Sequence, residues 1–229
     1  MLFDHAVVES PVPIFAPLTR QPFLNVNING ERFKNEELPY GYICNADLAQ
    51  PDHVKWVLWD ANWEEDTKKM GQIGCKALIP PLHNPLIIEA LIEKGIIKSE
   101  NTLQGLARKM GVPYEKLKAT VSRYNDLANI GKDLDFGKRS ECLSKIERTP
   151  FYAIKMGVSL LVTLGGLKIN TQLQVLDTEK NAIPGLYAAG NTSGSFFSND
   201  YPITIFGVSH SRALTFGRLA GFNAAAEQV

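Results

Sequence analysis

Ile183-Pro184-Gly185-Leu186-Tyr187-Ala188-Ala189-Gly190-Asn191 is the stretch on which the reading of this chain turns. Its apolar run from Leu186 to Ala189 predicts a buried strand, and the Gly-Asn that follows puts bare backbone at the carboxyl end of a sheet, where open α/β folds bind their ligands. Gly190 lets a ligand approach the main chain closely, and the Asn191 amide can donate to or accept from a hydroxyl. A Gly-Asn after a strand is also an ordinary turn, so the neighbouring segments decide its meaning. Upstream, Val158 to Thr163 is almost wholly apolar, as expected of a strand covered on both faces, and Gly165-Gly166 breaks it. Leu173 to Leu176 predicts another strand, followed by a turn through Asp177 to Ala182. Downstream, Ser209 to Ala226 predicts a helix whose Ala213, Gly217, Ala220, Gly221 and Ala224 permit close packing on a sheet.

The first two thirds of the chain have another texture. Phe23 to Ile28 is a short β-like run, and Asn29-Gly30 is a two-residue turn signal that makes it a hairpin with Glu31-Arg32-Phe33. Residues 84 to about 145 are helical. Pro85 opens a helix that Gly95 stops, Thr102 caps a second that ends at Gly111, and Pro113 opens a third that ends at Gly131. Glu115, Lys116, Lys118 and Arg123 fall on the solvated faces of the third. Trp56, Trp59 and Trp63, spaced by three and four, read as a helical stripe used for packing, and Glu64-Glu65-Asp66 as a solvated helix end.

Composition narrows the function classes. The 229 residues are 45% hydrophobic and 21% charged, with a formal net charge of +0, so there is core-forming material and no basic footprint for nucleic acid or an anionic membrane. Cys44, Cys75 and Cys142 form no C-x-x-C pair, and His53 and His83 have no partner cluster, so neither a metal site nor a disulfide framework is expected. No apolar run reaches the roughly 18 residues of a membrane span, and the N-terminus has Asp4 where a signal peptide would be basic; both lead us to expect a cytoplasmic protein.

Three blocks taken together carry a resemblance. Gly165-Gly166-Leu167-Lys168-Ile169-Asn170, then Ile183 to Gly190, then Thr215-Phe216-Gly217-Arg218-Leu219-Ala220-Gly221 resemble, in order and spacing, the C-terminal signature of the fumarate reductase and flavocytochrome c flavoproteins. Asn29-Gly30-Glu31-Arg32-Phe33-Lys34-Asn35-Glu36 resembles the block leading into that family's capping domain, and the helices over 102–130 with Asp135-Phe136-Gly137-Lys138 resemble the cap itself. The resemblance implies an α+β fold: a segment returning from the FAD domain (1–20), an α/β capping or substrate domain (21–148), and the C-terminal part of a Rossmann-like FAD-binding domain, strands plus a final helix (149–229). It implies FAD as cofactor. Asn191 stands where the family usually has an acid that bonds the ribityl chain, and Gly190 precedes it. Val208, Ser209 and His210, at the start of the last helix, would offer backbone N–H groups to the N1 and O2 edge of the flavin, where reduced flavin is negatively charged and a helix N-terminus is positive. Ser209 also reads as a plain N-cap, and His210 as a first-turn surface residue.

Departures from the family pattern bear on the substrate. The paired histidines of fumarate reductases are replaced by Leu161 and Val162, a second carboxylate-binding arginine by Thr204, and the proton-donating arginine by Tyr40. Apolar residues and tyrosine in place of cations imply a substrate other than a dicarboxylate, enone-like in kind. Tyr201, in Asn199-Asp200-Tyr201-Pro202, resembles the ketone-polarising tyrosine of flavin-dependent 3-ketosteroid dehydrogenases; Tyr40 could supply a proton, and Arg20 lies close to a relay position. Each tyrosine is equally an aromatic packing residue. The expected reaction is hydride transfer between flavin N5 and an activated C=C bond of a small unsaturated molecule. The sequence contains no G-x-G to hold the FAD diphosphate, so the chain reads as a fragment whose missing N-terminal FAD-binding half, or a partner subunit, completes the site. The alternative is a non-catalytic folded fragment acting as a binding or interaction module.

Overall fold

The computed structural model describes residues 2–8, 21–70, 85–197, 201, 205 and 207–227, with the backbone alone at residues 2–6, Tyr40 and Leu161. In chain order its elements are β1 (Leu2–Val7), β2 (Leu24–Val26), α1 (Tyr40–Leu48), β3 (Val54–Asp60), α2 (Trp63–Met70), α3 (Pro85–Glu93), β4 (Ile97–Glu100), α4 (Leu103–Met110), α5 (Tyr114–Ile130), β5 (Phe151–Val162), β6 (Gln174–Leu176), β7 (Ala182–Tyr187) and α6 (Val208–Ala226). They fall into two units, Asp4–Ser159 and Leu160–Val229 with Met1–Phe3, and the division lies inside β5.

The larger unit is built on a five-stranded sheet in the order β1-β5-β3-β2, with β4 also paired to β5. β3 runs antiparallel to β5, from Val54 opposite Gly157 to Asp60 opposite Phe151, and β4 pairs antiparallel with the start of the same strand. Every residue of β3 is buried. Its alternation sends Trp56 and Leu58 to one face, against Leu106, Met110, Leu117, Val121 and Tyr124 of α4 and α5. Val57 and Trp59 go to the other face, against Trp63 and Met70 of α2 and Ile88 and Leu91 of α3. The tryptophan spacing that reads as a helical stripe is therefore a strand followed by a helix: Trp56 and Trp59 lie on opposite faces of β3, and only Trp63 is helical. A strand covered on both faces has no apolar–polar alternation, so its pattern does not separate it from a helix.

The expected helices form where their end signals stand. The Thr102 hydroxyl accepts a 3.0 Å bond from the Gly105 amide, and α4 and α5 end on Gly111 and Gly131 in the left-handed conformation. The Asn29-Gly30 turn also forms. Gly30 has φ 77°, Asn27 N–H bonds Glu31 O at 3.0 Å, and Val26 pairs with Arg32. A buried ionic cluster joins the two blocks of the sequence that resemble a cap. Arg32 forks onto Glu36 (2.9 Å) and Asp133 (2.7 Å), and the Lys138 ammonium meets Glu36 (3.2 Å), the Tyr124 hydroxyl (2.7 Å) and Pro22 O. Burial alone would raise the Asp133 carboxyl; its bonds from Arg32 and from the Lys138 and Phe136 amides outweigh that and hold it at about 2.

In the smaller unit β6 and β7 form a two-stranded antiparallel sheet, and a single helical turn at Gly190–Thr192 leads toward α6. The strand expected at Leu186 to Ala189 begins earlier, at Ala182, and ends at Tyr187; it is exposed along most of its length rather than buried. Leu160 of β5 is exposed as well, so the apolar run from Val158 is not covered on both faces. Along α6 only Arg212 and Ala220 are buried, while Leu214 is 76% and Phe222 60% exposed. An apolar pattern states that a residue calls for cover and is silent on what supplies it. Beyond the far end of α6, Glu227 accepts bonds from the Gly185 amide (3.2 Å) and the Tyr187 hydroxyl (2.8 Å), which ties the helix to the β6–β7 pair. Among the described residues no helix is long and apolar enough to cross a membrane.

Candidate functional site

Two glycine-bearing segments cross at the start of this site. Leu167 N–H bonds Thr192 O at 2.9 Å and Gly194 N–H bonds Leu167 O at 2.8 Å, so the strand-like pieces run in parallel. At the crossing a Cβ on Gly166 would stand 2.4 Å from Thr192 O, and one on Gly194 would stand 2.7 Å from Gly166 O. Backbone lies on backbone there, which explains Gly166 and Gly194, whereas a Cβ on Gly165 would meet nothing within 4 Å. Thr163, just after β5, bonds Asn191 O through its hydroxyl at 3.3 Å.

Gly190 has φ 65°, the left-handed region that glycine tolerates, and the side where a Cβ would project faces Ala213 of α6 at 3.5 Å. The next residue carries the polar contact. Asn191 Oδ1 accepts a 3.0 Å hydrogen bond from the Ser209 hydroxyl, across 18 positions of sequence. Ser209 is not the N-cap. That place is taken by Gly207 with φ 71°, and α6 starts at Val208, so Val208, Ser209 and His210 are its first three residues. Gly207 has no side chain to cap their amides, so their N–H groups keep the donor capacity and partial positive charge of a helix start. His210 is exposed.

Arg212, one turn further along, was not anticipated as part of the site. It is 5% exposed, bonds Ser193 O and the Ser193 hydroxyl (2.6 Å), and lies over the rings of Phe196 (4.6 Å), Phe197 (5.5 Å) and Phe216 (5.6 Å). Burial lowers its pKa, and its Nε has no hydrogen-bond partner among the described residues. No signal in the sequence separates it from Arg218 on the same helix. Tyr201 packs on Phe197 with ring centres 4.8 Å apart. Tyr40 is the first residue of α1, in the larger unit. Arg20 and Thr204 lie outside the described residues.

The structure thus brings Gly190, Asn191, Val208, Ser209 and His210 to one place and leaves Tyr40 on another element of another unit. A hydroxyl–amide pair, a helix start with no side-chain cap and a buried guanidinium with an N–H that has no partner among the described residues suit a ligand that is rich in hydroxyls and carries negative charge. The FAD ribityl chain and pyrimidine edge have that chemistry.

Comparison with known proteins points to the same cofactor. The family described as FAD binding domain matches residues 18–202. The chain is 30% identical over 213 residues to a vinyl phenol reductase of Lactiplantibacillus plantarum, covering 90% of this chain and 43% of that protein. The 3-ketosteroid Δ1-dehydrogenase of Sterolibacterium denitrificans superposes with a TM-score of 0.74 at 27% identity, over 99% of this chain and 43% of that one. The open conformation of a flavocytochrome c3 fumarate reductase gives a TM-score of 0.71 at 27% identity, over 98% of this chain and 36% of that one. The chain therefore spans about two fifths of the length of these relatives.

Proposed function

Because the chain belongs to the FAD binding domain family, whose relatives here include flavoprotein fumarate reductases, we propose that it forms the substrate-capping part and the flavin-edge part of an FAD-dependent oxidoreductase. The observation that carries this reading is the 3.0 Å bond between Asn191 and Ser209 beside the uncapped first turn of α6. FAD, when bound there, supplies hydride exchange at N5 with an activated C=C bond. Asn191 and Ser209 bind a ribityl hydroxyl, and the amides of Val208, Ser209 and His210 meet the edge that becomes negative on reduction. Unit Asp4–Ser159 acts as the cap. Tyr40 donates the proton that accompanies hydride, Tyr201 polarises a substrate carbonyl, and Arg20 returns protons to the donor. A phenol is protonated at neutral pH, which suits the donor's task.

A non-dicarboxylate, enone-like substrate is supported by Leu161, Val162 and Thr204 standing where the family has cations that hold carboxylates. The matched vinyl phenol reductase, whose name is not that of a dicarboxylate enzyme, leans the same way. The exposed Leu160, Leu186, Leu214 and Phe222 support the further reading that an N-terminal FAD-binding half, in the same or another chain, covers the smaller unit. The test is FAD uptake, followed by visible absorbance, by this chain alone and by a protein that includes the diphosphate-binding half. Flavin absorbance in the latter, with enone reduction lost in Tyr40→Phe and Tyr201→Phe, is the expected result. Absence of flavin from both would overturn the reading, and the chain would then be an interaction module.

A further inference from the structure

Arg212 is costly as a purely structural residue. A guanidinium 5% exposed, with its pKa lowered by burial, has no carboxylate paired with it among the described residues and rests on neutral acceptors and aromatic faces. Its Nε has no partner among the described residues. What it does hold is well placed. Ser193 O, the Ser193 hydroxyl and, at 3.5 Å, Gly194 O all accept from one guanidinium nitrogen. The Ser193 amide and hydroxyl in turn both bond Gly190 O, at 3.2 and 2.8 Å. Gly190 and Ser193 bracket Asn191, and Arg212 stands three residues after Ser209 on the same helix. These bonds close a loop: α6 grips the turn through Arg212, and the turn presents Asn191 back to α6 at Ser209.

Resting on the flavin reading of the site, we propose that Arg212 is its positioning residue and a source of its positive charge: it clamps the Gly190–Gly194 turn to α6, fixes the Asn191–Ser209 contact, and sets a cation with no carboxylate partner among the described residues one turn along α6 from the amides that would meet the negative edge of the reduced cofactor.

Two substitutions separate the two parts. Arg212→Met removes bonds and charge, whereas Arg212→Lys keeps the charge on a side chain one atom short of the terminal nitrogen that makes the bonds. On this chain, without cofactor, amide NMR of Arg212→Met and Arg212→Lys is expected to shift Asn191, Ser193 and Ser209 while leaving Ala224 at the far end of α6 in place. Should Arg212→Met fail to fold, Ser193→Ala provides the same readout by removing one acceptor, with a smaller shift at the same residues. Unmoved signals at Asn191 and Ser209 overturn the clamp. In the flavin-loaded protein that includes the diphosphate-binding half, sulfite, which adds to N5 and leaves an anionic flavin, is the probe of charge. Arg212→Met is expected to weaken sulfite binding about tenfold, the size of a unit charge acting through partly screened protein, and Arg212→Lys to restore most of it. Equal sulfite affinity in all three proteins overturns the charge. If no flavin binds to the unsubstituted protein the flavin reading fails, and the amide shifts alone then judge the clamp.

Discussion

At Gly166 and Gly194 the chain crosses itself with no side chain between, and the space for one does not exist. A methyl group on Gly166 would stand 2.4 Å from a carbonyl oxygen that is itself bonded to Leu167. Gly166→Ala is therefore expected to destabilise the smaller unit by about 3 kcal/mol or more, read from chemical denaturation. At Gly165, with nothing within 4 Å of a Cβ, alanine is expected to be close to neutral. Asn191 and Ser209 admit a functional counterpart. Ser209→Ala removes the hydroxyl that meets Asn191 Oδ1, and FAD affinity in the complete protein should fall roughly tenfold, the size of about one hydrogen bond. The resemblance made these two residues visible in sequence, but not their contact, because 18 positions separate them. Arg212 was invisible for a different reason. An arginine on a helix ordinarily reaches solvent, and only the fold shows that this one turns inward to Ser193.

Helix ends were the most legible elements, since a cap is a local matter of one or two residues: Thr102, Gly111 and Gly131 all act where they stand. β3 was not legible, since its burial on both faces erases the alternation that marks a strand, and β7 was misjudged because its apolar residues lie at the surface. Besides its apolar clusters, the larger unit holds a buried ionic cluster that joins its elements. Glu36 is buried between Arg32 and Lys138, and the Lys138 ammonium stays charged because Glu36 and Tyr124 outweigh the effect of burial. Glu36→Gln leaves that lysine buried beside a neutral amide and is expected to cost about 3–5 kcal/mol. The exposed pair of Lys116 and Glu31 should cost little when broken. The same cluster sets a pH limit. The Asp133 carboxyl titrates at about 2 in the folded protein against 3.8 ordinarily, so its contribution is complete above pH 3.8 and is lost as pH falls toward 2. Acid titration followed by circular dichroism should show a loss of stability in that window, and Asp133→Asn should flatten it.

For the molecule as a whole, the two units differ in how they are covered. The larger unit has apolar clusters on both faces of its sheet, whereas the smaller shows Leu186, Leu214, Leu219 and Phe222 to solvent. On the reading that an FAD-binding half covers them, Leu214→Glu with Phe222→Glu should leave the thermal stability of this chain unchanged and abolish its association with that half, measured by co-purification. Loss of stability in the chain alone would contradict it. The overall class, mixed helix and sheet in a flavoprotein relative, was legible because several blocks recur in order; the substrate was not, since pocket chemistry depends on which distant side chains meet.

β5 joins partners that are far apart in the chain. β3 lies on one side of it and β4 on the other, and neither pairs with the other directly. On the ribosome, where residues appear one after another, β3 must wait about ninety positions with its tryptophans unpaired on that edge until β5 emerges. Closure of the larger unit is thus a late event of synthesis. A nascent chain arrested before Phe151 is the form in which this protein would be most exposed to chaperones and to aggregation.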